Sequence, residues 1–429
     1  MAKYIIEDTT LKNIADAIRN KNGETSQYLP SEMPAKIEEI QGGGSGTGGG
    51  GYTIKYINGA IKDNKATPDE LLNDIENGIW INGKNMFNNS GYSFDYTLLD
   101  GKNIKLTDCA GMFHSGEKVY KLSNVDMSYF DVSKVLDFSY MFAYCTQVTD
   151  LDLSGLDMNS AENCSYMFVN SSKLKTIKLG NLSNCNVEDL SNMFNNCKLL
   201  TNIEGIENID VSSCETFEKM FYYCSELKDF DLDLSRWEIN KNTGSSASFS
   251  NFLQYAVLKS IKFADGVQLG YGNMFYQAKI LEKVDLGKTS LHKNTMGISS
   301  MLYYADLPKG IILPDFGHIT SDLNLANSST KICDLTFGEG NSFGNTSTKA
   351  SLVLNVTNIW RNSAENNCLE GYGEGTYGDK YEAFANSIAP NTSGLTRTIK
   401  LHTLLYNSLS DEQKALLTDK GYTLSFGTS

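Results

Sequence analysis

Residues 141–154 read MFAYCTQVTDLDLS, and this stretch is part of a longer unit that the chain of 429 residues repeats. Its opening Met-Phe pair, or a close variant, occurs nine times between residues 86 and 302, and we call each pair a plug. The plugs begin at Met86, Met112, Met141, Met167, Met193, Met220, Phe252, Met274 and Met301. Most are 26 to 29 residues apart, and a period in the twenties indicates a solenoid of stacked coils.

Each plug is predicted to lie on a short helix. The residue three positions before the plug is usually bulky and apolar, like Phe138, and the residue four positions after it is always small. These offsets fall on one helical face, which predicts about two turns of helix per coil. We expect neighbouring coils to be closest at the small residues, which are Ser90, Gly116, Cys145, Ser171, Cys197, Cys224, Ala256, Ala278 and Ala305.

A strand is predicted after each plug, because the sequence there alternates apolar and charged residues. Examples are Leu151-Asp152-Leu153, Ile177-Lys178-Leu179 and Val284-Asp285-Leu286, and this alternation is typical of a strand with one buried face. No coil can bury its apolar face alone, so the coils must share one core, with their strands in a parallel sheet. The predicted fold class is an α/β repeat.

The repeat resembles the BspA-like branch of the leucine-rich repeats, which is common in mycoplasma surface lipoproteins. The hallmark there is Met-Phe-x-x-Cys followed by a Leu and then Leu-Asp-Leu-Ser, and residues 141–154 match it closely, with Val148 in place of the first Leu. The resemblance covers about half of the chain. It implies a leucine-rich-repeat solenoid that serves as a binding or adhesion scaffold, and it implies no chemistry.

A separate helical module is predicted at residues 1–41. Residues 9–19 read TTLKNIADAIR, and a second helix is expected near Met33-Pro34. This pattern resembles a small module of tail and baseplate proteins from phages and prophages of Gram-positive bacteria. The resemblance implies that residues 1–41 attach the chain to other tail or baseplate proteins, and we expect a homo-oligomer in the particle.

The rest of the chain divides into four predicted segments. Residues 42–51 are a glycine-rich linker, residues 52–82 cap the first coil, and residues 83–349 form the solenoid. Residues 350–429 are predicted to be an α+β cap, whose last segment, residues 398–426, has the order strand, helix, helix, strand. Ser410 and Gln413 are placed to form a capping box at the start of its last helix, and this cap is expected to close the exposed edge of the sheet.

Composition limits the classes of partner. The net charge of −14 argues against nucleic acid or an anionic membrane surface, although ordinary solubility gives the same balance. No apolar stretch approaches the roughly 20 residues that span a membrane, and the N-terminus has acidic residues where a secretory signal needs an apolar core. Most of the nine cysteines lie in the repeat register, which predicts buried, reduced thiols.

No catalytic, cofactor-binding or metal-binding motif is present in the sequence. The four histidines are scattered, there is no phosphate loop, and no Cys-x-x-Cys pair occurs. The outward-facing charges form a column that reads Asp152, Lys178, Glu204, Asp231, Lys262 and Asp285 from coil to coil. Its mostly alternating signs predict a structural role. We therefore expect a protein that is not an enzyme.

The best candidate for a binding surface is a set of tyrosines two and three positions after the plugs. These positions are off the buried stripe and carry mainly Tyr and Asn, which provide contact area and adaptable hydrogen bonds. Alternatively, the tyrosines only fill space between coils. We call the candidate set the tyrosine ridge: Tyr144, Tyr222, Tyr223, Tyr255, Tyr276, Tyr303 and Tyr304.

Taken together, the residues and the two resemblances predict a phage or prophage tail protein located in the virion. It would present its solenoid to a glycan or protein on the host cell surface. A bacterial surface adhesin of the same repeat class is the main alternative. A glycan-cleaving enzyme is a third interpretation, but it needs paired carboxylates in a cleft, and the repeat predicts a surface.

Overall fold

The computed structural model describes residues 74–87, 103–114, 125–239, 248–269, 272–291, 300–317, 319–327, 330–332, 334–341, 343–359 and 377–427. All of them belong to one compact unit, Thr53–Ser429. The predicted helical module at 1–41, the linker at 42–51 and most of the predicted cap at 52–82 lie outside the described residues, as do Ser90 and Gly116.

The described strands are short and follow one another at intervals of about one repeat. They are β1 (Ile81–Asn82), β2 (Ile104–Asp108), β3 (Phe130–Asp131), β4 (Asp150–Asp152), β5 (Thr176–Lys178), β6 (Asn202–Glu204), β7 (Leu227–Leu234), β8 (Val257–Phe263), β9 (Gln268–Leu269), β10 (Lys279–Ile280), β11 (Val284–Asp285), β12 (Ser290–Leu291), β13 (Ile311–Leu313), β14 (Leu323–Asn324), β15 (Leu335–Phe337), β16 (Ser351–Asn355), β17 (Thr396–His402) and β18 (Thr423–Gly427). The helices are α1 (Tyr377–Ser387), α2 (Thr403–Ser408) and α3 (Asp411–Thr418), with one 3-10 turn at Ile206–Asn208.

These strands form a parallel β-solenoid of about 11 turns. Every strand pair in the described residues is parallel, and equivalent residues of successive coils are paired. For example, Leu151 pairs with Ile177, which pairs with Ile203. The predicted repeat solenoid with a shared core is therefore confirmed.

The predicted helix at each plug is wrong for the plugs that the structure describes, which consist of consecutive turns. The amides alternate in their partners. The amides of Met141 and Ala143 close local turns onto Phe138 and Tyr140, whereas the amide of Phe142 donates to the carbonyl of Met167 in the next coil. Because alternate amides leave the coil, the i to i−4 bonds of an α-helix cannot form.

Left-handed backbone conformations explain why the helix is replaced. Every described non-glycine residue with positive φ lies one position before or three positions after the first residue of a plug. Tyr140 and Tyr144, with φ of 55° and 59°, are the pair around Met141. Because left-handed residues lie four positions apart around a plug, a right-handed helix cannot extend beyond one turn there. The backbone then turns so that alternate amides donate hydrogen bonds to the next coil.

Asp and Asn side chains that precede the plugs stabilise this turn by accepting hydrogen bonds from the backbone. Asp137 accepts a hydrogen bond from the amide of Ser139 at 2.9 Å, and Asn163 and Asp189 do the same in the next two coils. Asp and Asn side chains that bond their own backbone two residues on are typical turn formers. These three residues also pair with one another as bridges between coils.

The core is a column of apolar side chains that runs through the coils. The phenylalanines at the second plug position stack face to face, with ring centroids 5.0 to 5.6 Å apart and nearly parallel planes. They are Phe87, Phe113, Phe142, Phe168, Phe194 and Phe221, and all are buried. Identical residues one coil spacing apart place the rings at stacking distance.

In the seven coils whose small residue the structure describes, this residue is buried, as predicted, and in four of them it also makes a hydrogen bond. Ser171 donates its hydroxyl to the carbonyl of Phe142 at 2.7 Å, and Cys197 donates its thiol to the carbonyl of Phe168 at 3.1 Å. Cys145 and Cys224 make the same contact. The position therefore requires a small side chain and favours one that can donate to the preceding coil.

Seven of the nine cysteines are described, and all seven are buried and unpaired. Cys333 and Cys368 lie outside the described residues. Burial raises the pKa of Cys145, Cys197 and Cys214 to about 12. These thiols are therefore protonated at neutral pH, which makes them poor nucleophiles.

The predicted column of alternating charges is correct in its first half. Lys178 lies between Asp152 and Glu204, with its ammonium 3.9 and 3.6 Å from their carboxylates. The pairing of Asp231 with Lys262 is wrong, because the register of β7 on β8 shifts after Leu227 and places Asp231 opposite Ser260. Asp231 instead contacts Lys259 at 2.7 Å.

The last segment has the predicted order of strand, helix, helix and strand. Ser410 and Gln413 form a complete capping box at the start of α3, and the ammonium of Lys420 donates to the carbonyls of Ala385, Asn386 and Ile388. The expectation that this segment closes the sheet edge is wrong. The segment adds two strands, in the order β14-β16-β17-β18, so β18 becomes the new edge.

Candidate ligand-binding ridge

Four of the seven residues of the tyrosine ridge occupy left-handed positions of the plugs. Fourteen described non-glycine residues have positive φ, and six of them are tyrosines: Tyr140, Tyr144, Tyr166, Tyr223, Tyr255 and Tyr304. Asn occupies six more of these positions and tolerates this conformation well, whereas a bulky aromatic residue rarely adopts it. The side chains at these positions are partly or well exposed in most coils.

Three ridge tyrosines form one tight cluster. The rings of Tyr223 and Tyr255 stack with centroids 4.2 Å apart, and Tyr222 meets both edge to face, at 4.8 and 5.6 Å. The ammonium of Lys198 lies 5.8 Å from the ring of Tyr223, within the range of a cation–π contact. Tyr223 remains 37% exposed. The cluster therefore presents ring edges and hydroxyls next to one cation.

The ridge continues along the next coils through the remaining tyrosines. Tyr276 and Tyr304 meet edge to face at 5.5 Å, and Tyr304 is 44% exposed. Burial raises the pKa of Tyr276, with smaller contributions from the neighbouring hydroxyls of Tyr304 and Tyr255. The hydroxyl of Tyr303 accepts a hydrogen bond of 2.7 Å from Asn324. Six of the seven ridge residues are thus neighbours on adjacent coils.

Tyr144 belongs to a different cluster, nearer the first described coils. Its ring lies 5.4 Å from that of His114, edge to face. Tyr140 and Tyr166 stack beside it with centroids 4.7 Å apart and an angle of 3° between their planes. Burial lowers the pKa of His114, so this ring is neutral at pH 7.

Sequence reasoning missed Tyr140, Tyr166 and Lys198. The first two lie one position before a plug, where the sequence pattern predicts a helix, and this pattern selects only positions two and three after the plug as outward-facing. Offsets −1 and +3 are four residues apart and share the left-handed conformation, so side chains at both offsets lie on the same surface. The signal that could identify them is the recurrence of Tyr and Asn at offset −1, as in Tyr140, Tyr166 and Asn192.

Between the two aromatic clusters, the equivalent positions of the plugs are occupied by asparagines. Asn196 donates a short hydrogen bond of 2.5 Å to Asn170 in the preceding coil, and Asn195 donates to Asn192 at 2.8 Å. Asparagine side chains therefore lie between Tyr144 and the other six residues of the tyrosine ridge. Tyr and Asn both make adaptable hydrogen bonds at low entropic cost, as in antibody paratopes.

The hydroxyl groups of two tyrosines on this surface are protonated at neutral pH. The pKa of Tyr223 and of Tyr140 is raised, chiefly by desolvation, so their hydroxyls stay neutral at physiological pH. In the described part of the chain, no group of three His, Cys, Asp or Glu side chains is placed to hold a metal ion. The same part contains no helix long and apolar enough to cross a bilayer.

Comparison with known proteins finds a family to which the repeat is similar. Residues 81–198 and 174–284 each match the model of a family described as Mycoplasma protein of unknown function, DUF285. The two matches overlap and together span just under half of the chain. They agree with the resemblance of the repeat to mycoplasma surface proteins. Neither a curated protein nor a solved structure matches the chain.

Proposed function

We propose that this protein is an adhesion protein that binds a glycan or protein on a bacterial cell surface through its tyrosine ridge. The ridge consists of tyrosine side chains on several coils, with the ammonium of Lys198 beside Tyr223. Such a surface suits an extended ligand, whereas a small substrate is usually held in a concave pocket.

The observation that carries the proposal is the use of tyrosine at left-handed positions. Asn adopts this conformation at small cost and occupies six equivalent positions, so tyrosine is not needed for the turn. The left-handed region costs an ordinary residue roughly 1–2 kcal/mol. Backbone strain that recurs on one exposed surface is a reason to infer a function there.

We propose further that the solenoid is a BspA-like leucine-rich repeat and that the protein is part of a phage or prophage tail, with residues 1–41 as its attachment module. The repeat hallmark in residues 141–154 and the family match support the first statement. The second rests on the resemblance of residues 9–19 and 33–37 to tail and baseplate modules. In this setting the protein would be a receptor-binding component of the virion.

Binding can be tested with the fluorescently labelled full chain and a panel of Gram-positive cells. One portion of the cells is treated with periodate, which cleaves vicinal diols of glycans, and another with protease. Saturable binding that periodate abolishes identifies a glycan receptor, and binding that protease abolishes identifies a protein. Absence of saturable binding to every surface in the panel would contradict an adhesion role.

A bacterial surface adhesin is a second candidate, favoured by the family match to Mycoplasma proteins. Immunogold labelling with an antibody against the solenoid separates the two settings. Label on tail-like particles released after induction supports the tail protein. Label on intact producing cells, with none on particles, supports the surface adhesin and contradicts the tail assignment.

A further inference from the structure

Among the described residues, β18 is the last strand of its four-stranded sheet. Among the described residues no strand pairs with its outer edge, and β18 itself is regular, with five consecutive residues in register on β17. Thr423, Leu424, Ser425, Phe426 and Gly427 include neither a charge nor a proline. Charges, prolines and bulges are the usual devices that prevent an edge from pairing with another strand.

Apolar side chains are exposed beside this edge. Phe426 and the neighbouring Leu404 of α2 are each 53% exposed, the highest values among the large apolar residues described. The ring of Phe426 stacks on that of Tyr406, with centroids 4.5 Å apart, and about half of the residue remains exposed. An exposed phenyl group beside an unpaired strand edge indicates a surface that is covered in the assembled protein.

From this edge we infer that two copies of the chain dimerise through antiparallel pairing of their β18 strands. The sequence of β18 is self-complementary about Ser425. Antiparallel pairing centred there places Ser425 opposite its own copy, and Leu424 of each chain opposite Phe426 of the other. Leu424 and Phe426 pair with Ile399 and Leu401 of β17, so both belong to the same face of the sheet.

Such a pairing covers the exposed phenyl groups and continues the sheet across a two-fold axis. Apolar side chains directly opposite each other on one face stabilise an antiparallel pair, and two-fold interfaces use the same patch of both subunits. The strand carries no charge, so pairing brings no like charges together within it despite the net charge of −14. This inference is independent of the ligand-binding proposal.

The test uses charge at the position that meets its own copy. Ser425→Glu and Ser425→Lys each place two like charges directly opposite in the dimer, which destabilises the pair. In the monomer, Ser425 is beside Lys400 of β17, so Ser425→Glu gains a favourable neighbour and should fold normally. Matched controls are Leu199→Glu and Leu199→Lys, which alter an exposed apolar residue of a coil far from β18.

Light scattering of the full chain at micromolar concentration measures the mass of each sample. We expect two chains per particle for the wild type and the Leu199 variants, one chain for each Ser425 variant, and two chains again when the two Ser425 variants are mixed. A monomeric wild type, or Ser425 variants that dimerise alone, would overturn the inference. Failure of the mixture to dimerise would also overturn it, because the edge would then pair with another segment.

Discussion

The thiol of Cys197 donates a hydrogen bond of 3.1 Å to the carbonyl oxygen of Phe168 in the preceding coil. Ser171 makes the equivalent contact one coil earlier, at 2.7 Å to Phe142. Each contact joins the small residue of one coil to a stacked phenylalanine of the preceding coil. This relationship explains why Cys, Ser and Ala share the position.

Substitutions at Cys197 should therefore separate size from hydrogen bonding. Cys197→Leu inserts extra methylenes between coils and should lower the free energy of unfolding by about 1–3 kcal/mol. Cys197→Ser should be close to neutral, and Cys197→Ala should cost less than about 1 kcal/mol, since the amide of Ser171 also donates to the Phe168 carbonyl. Chemical denaturation measures all three. A Leu variant as stable as the wild type would contradict the packing described.

Stability should fall at alkaline pH because of the buried thiols. The pKa of Cys145, Cys197 and Cys214 is raised from 9.0 to about 12 in the folded chain. Between these values the unfolded chain loses protons that the folded chain keeps, so the stabilisation is complete below pH 9 and is lost as pH rises to about 12. Each such thiol contributes a slope of about 1.4 kcal/mol per pH unit.

The control for this pH dependence is the triple variant Cys145→Ala, Cys197→Ala and Cys214→Ala. Denaturation at several pH values between 8 and 11 should give a shallower decline for this variant than for the wild type. Equal slopes would mean that other groups, such as tyrosine or lysine, account for the loss.

The left-handed positions should discriminate between residues by backbone preference. Asn251 has a φ of 56°. Asn251→Gly should change the free energy of unfolding by less than about 1 kcal/mol, because glycine adopts this conformation readily. Asn251→Val should cost about 1–2 kcal/mol or more, because a β-branched side chain crowds the backbone there. Equal stability of the two variants would contradict the turn geometry of the plugs.

Arg397 should be essential to the C-terminal coils. It is fully buried, and its guanidinium donates only to backbone carbonyls, which are those of Gly344, Ser347, Lys349 and Thr396. Arg397→Met leaves several buried acceptors without donors, at about 1–3 kcal/mol for each one left unsatisfied. We expect a loss of at least about 3 kcal/mol, whereas the exposed control Lys331→Met should stay near the wild type. A loss below 1 kcal/mol would contradict this role.

The repeat, its buried positions and the C-terminal capping box could be predicted because each depends on local spacing. The conformation of the plugs could not, since offsets of 3 and 4 fit one helical face and also fit consecutive turns with left-handed residues. The partner of Asp231 was missed because the register shift after Leu227 has no signal in the alternating pattern of β7.

The tyrosine ridge was found only in part for the same reason. Positions Tyr222 to Tyr304 face outward in either conformation, and so they could be selected from the sequence. Tyr140 and Tyr166 can be recognised as equivalent to these positions only when the backbone conformation of the plugs is known. The separation of Tyr144 from the other six residues depends on where each tyrosine occurs along the coils, and the amides of Asn170 and Asn196 occupy the space between the two clusters.

The most direct test of the account compares adsorption and melting for two pairs of substitutions. Tyr223→Asn with Tyr255→Asn removes the stacked pair of the ridge and keeps residues that favour the left-handed backbone. The matched control, Leu136→Asn with Leu199→Asn, removes two exposed apolar side chains of the coils that do not belong to the ridge. Aromatic anchors at interfaces often contribute about 2 kcal/mol or more each. We predict at least about tenfold weaker adsorption to the cell surface for the first pair only, with both melting temperatures near the wild type. Undiminished adsorption by the first pair, or a loss that parallels a fall in its melting temperature, would contradict the binding role of the ridge.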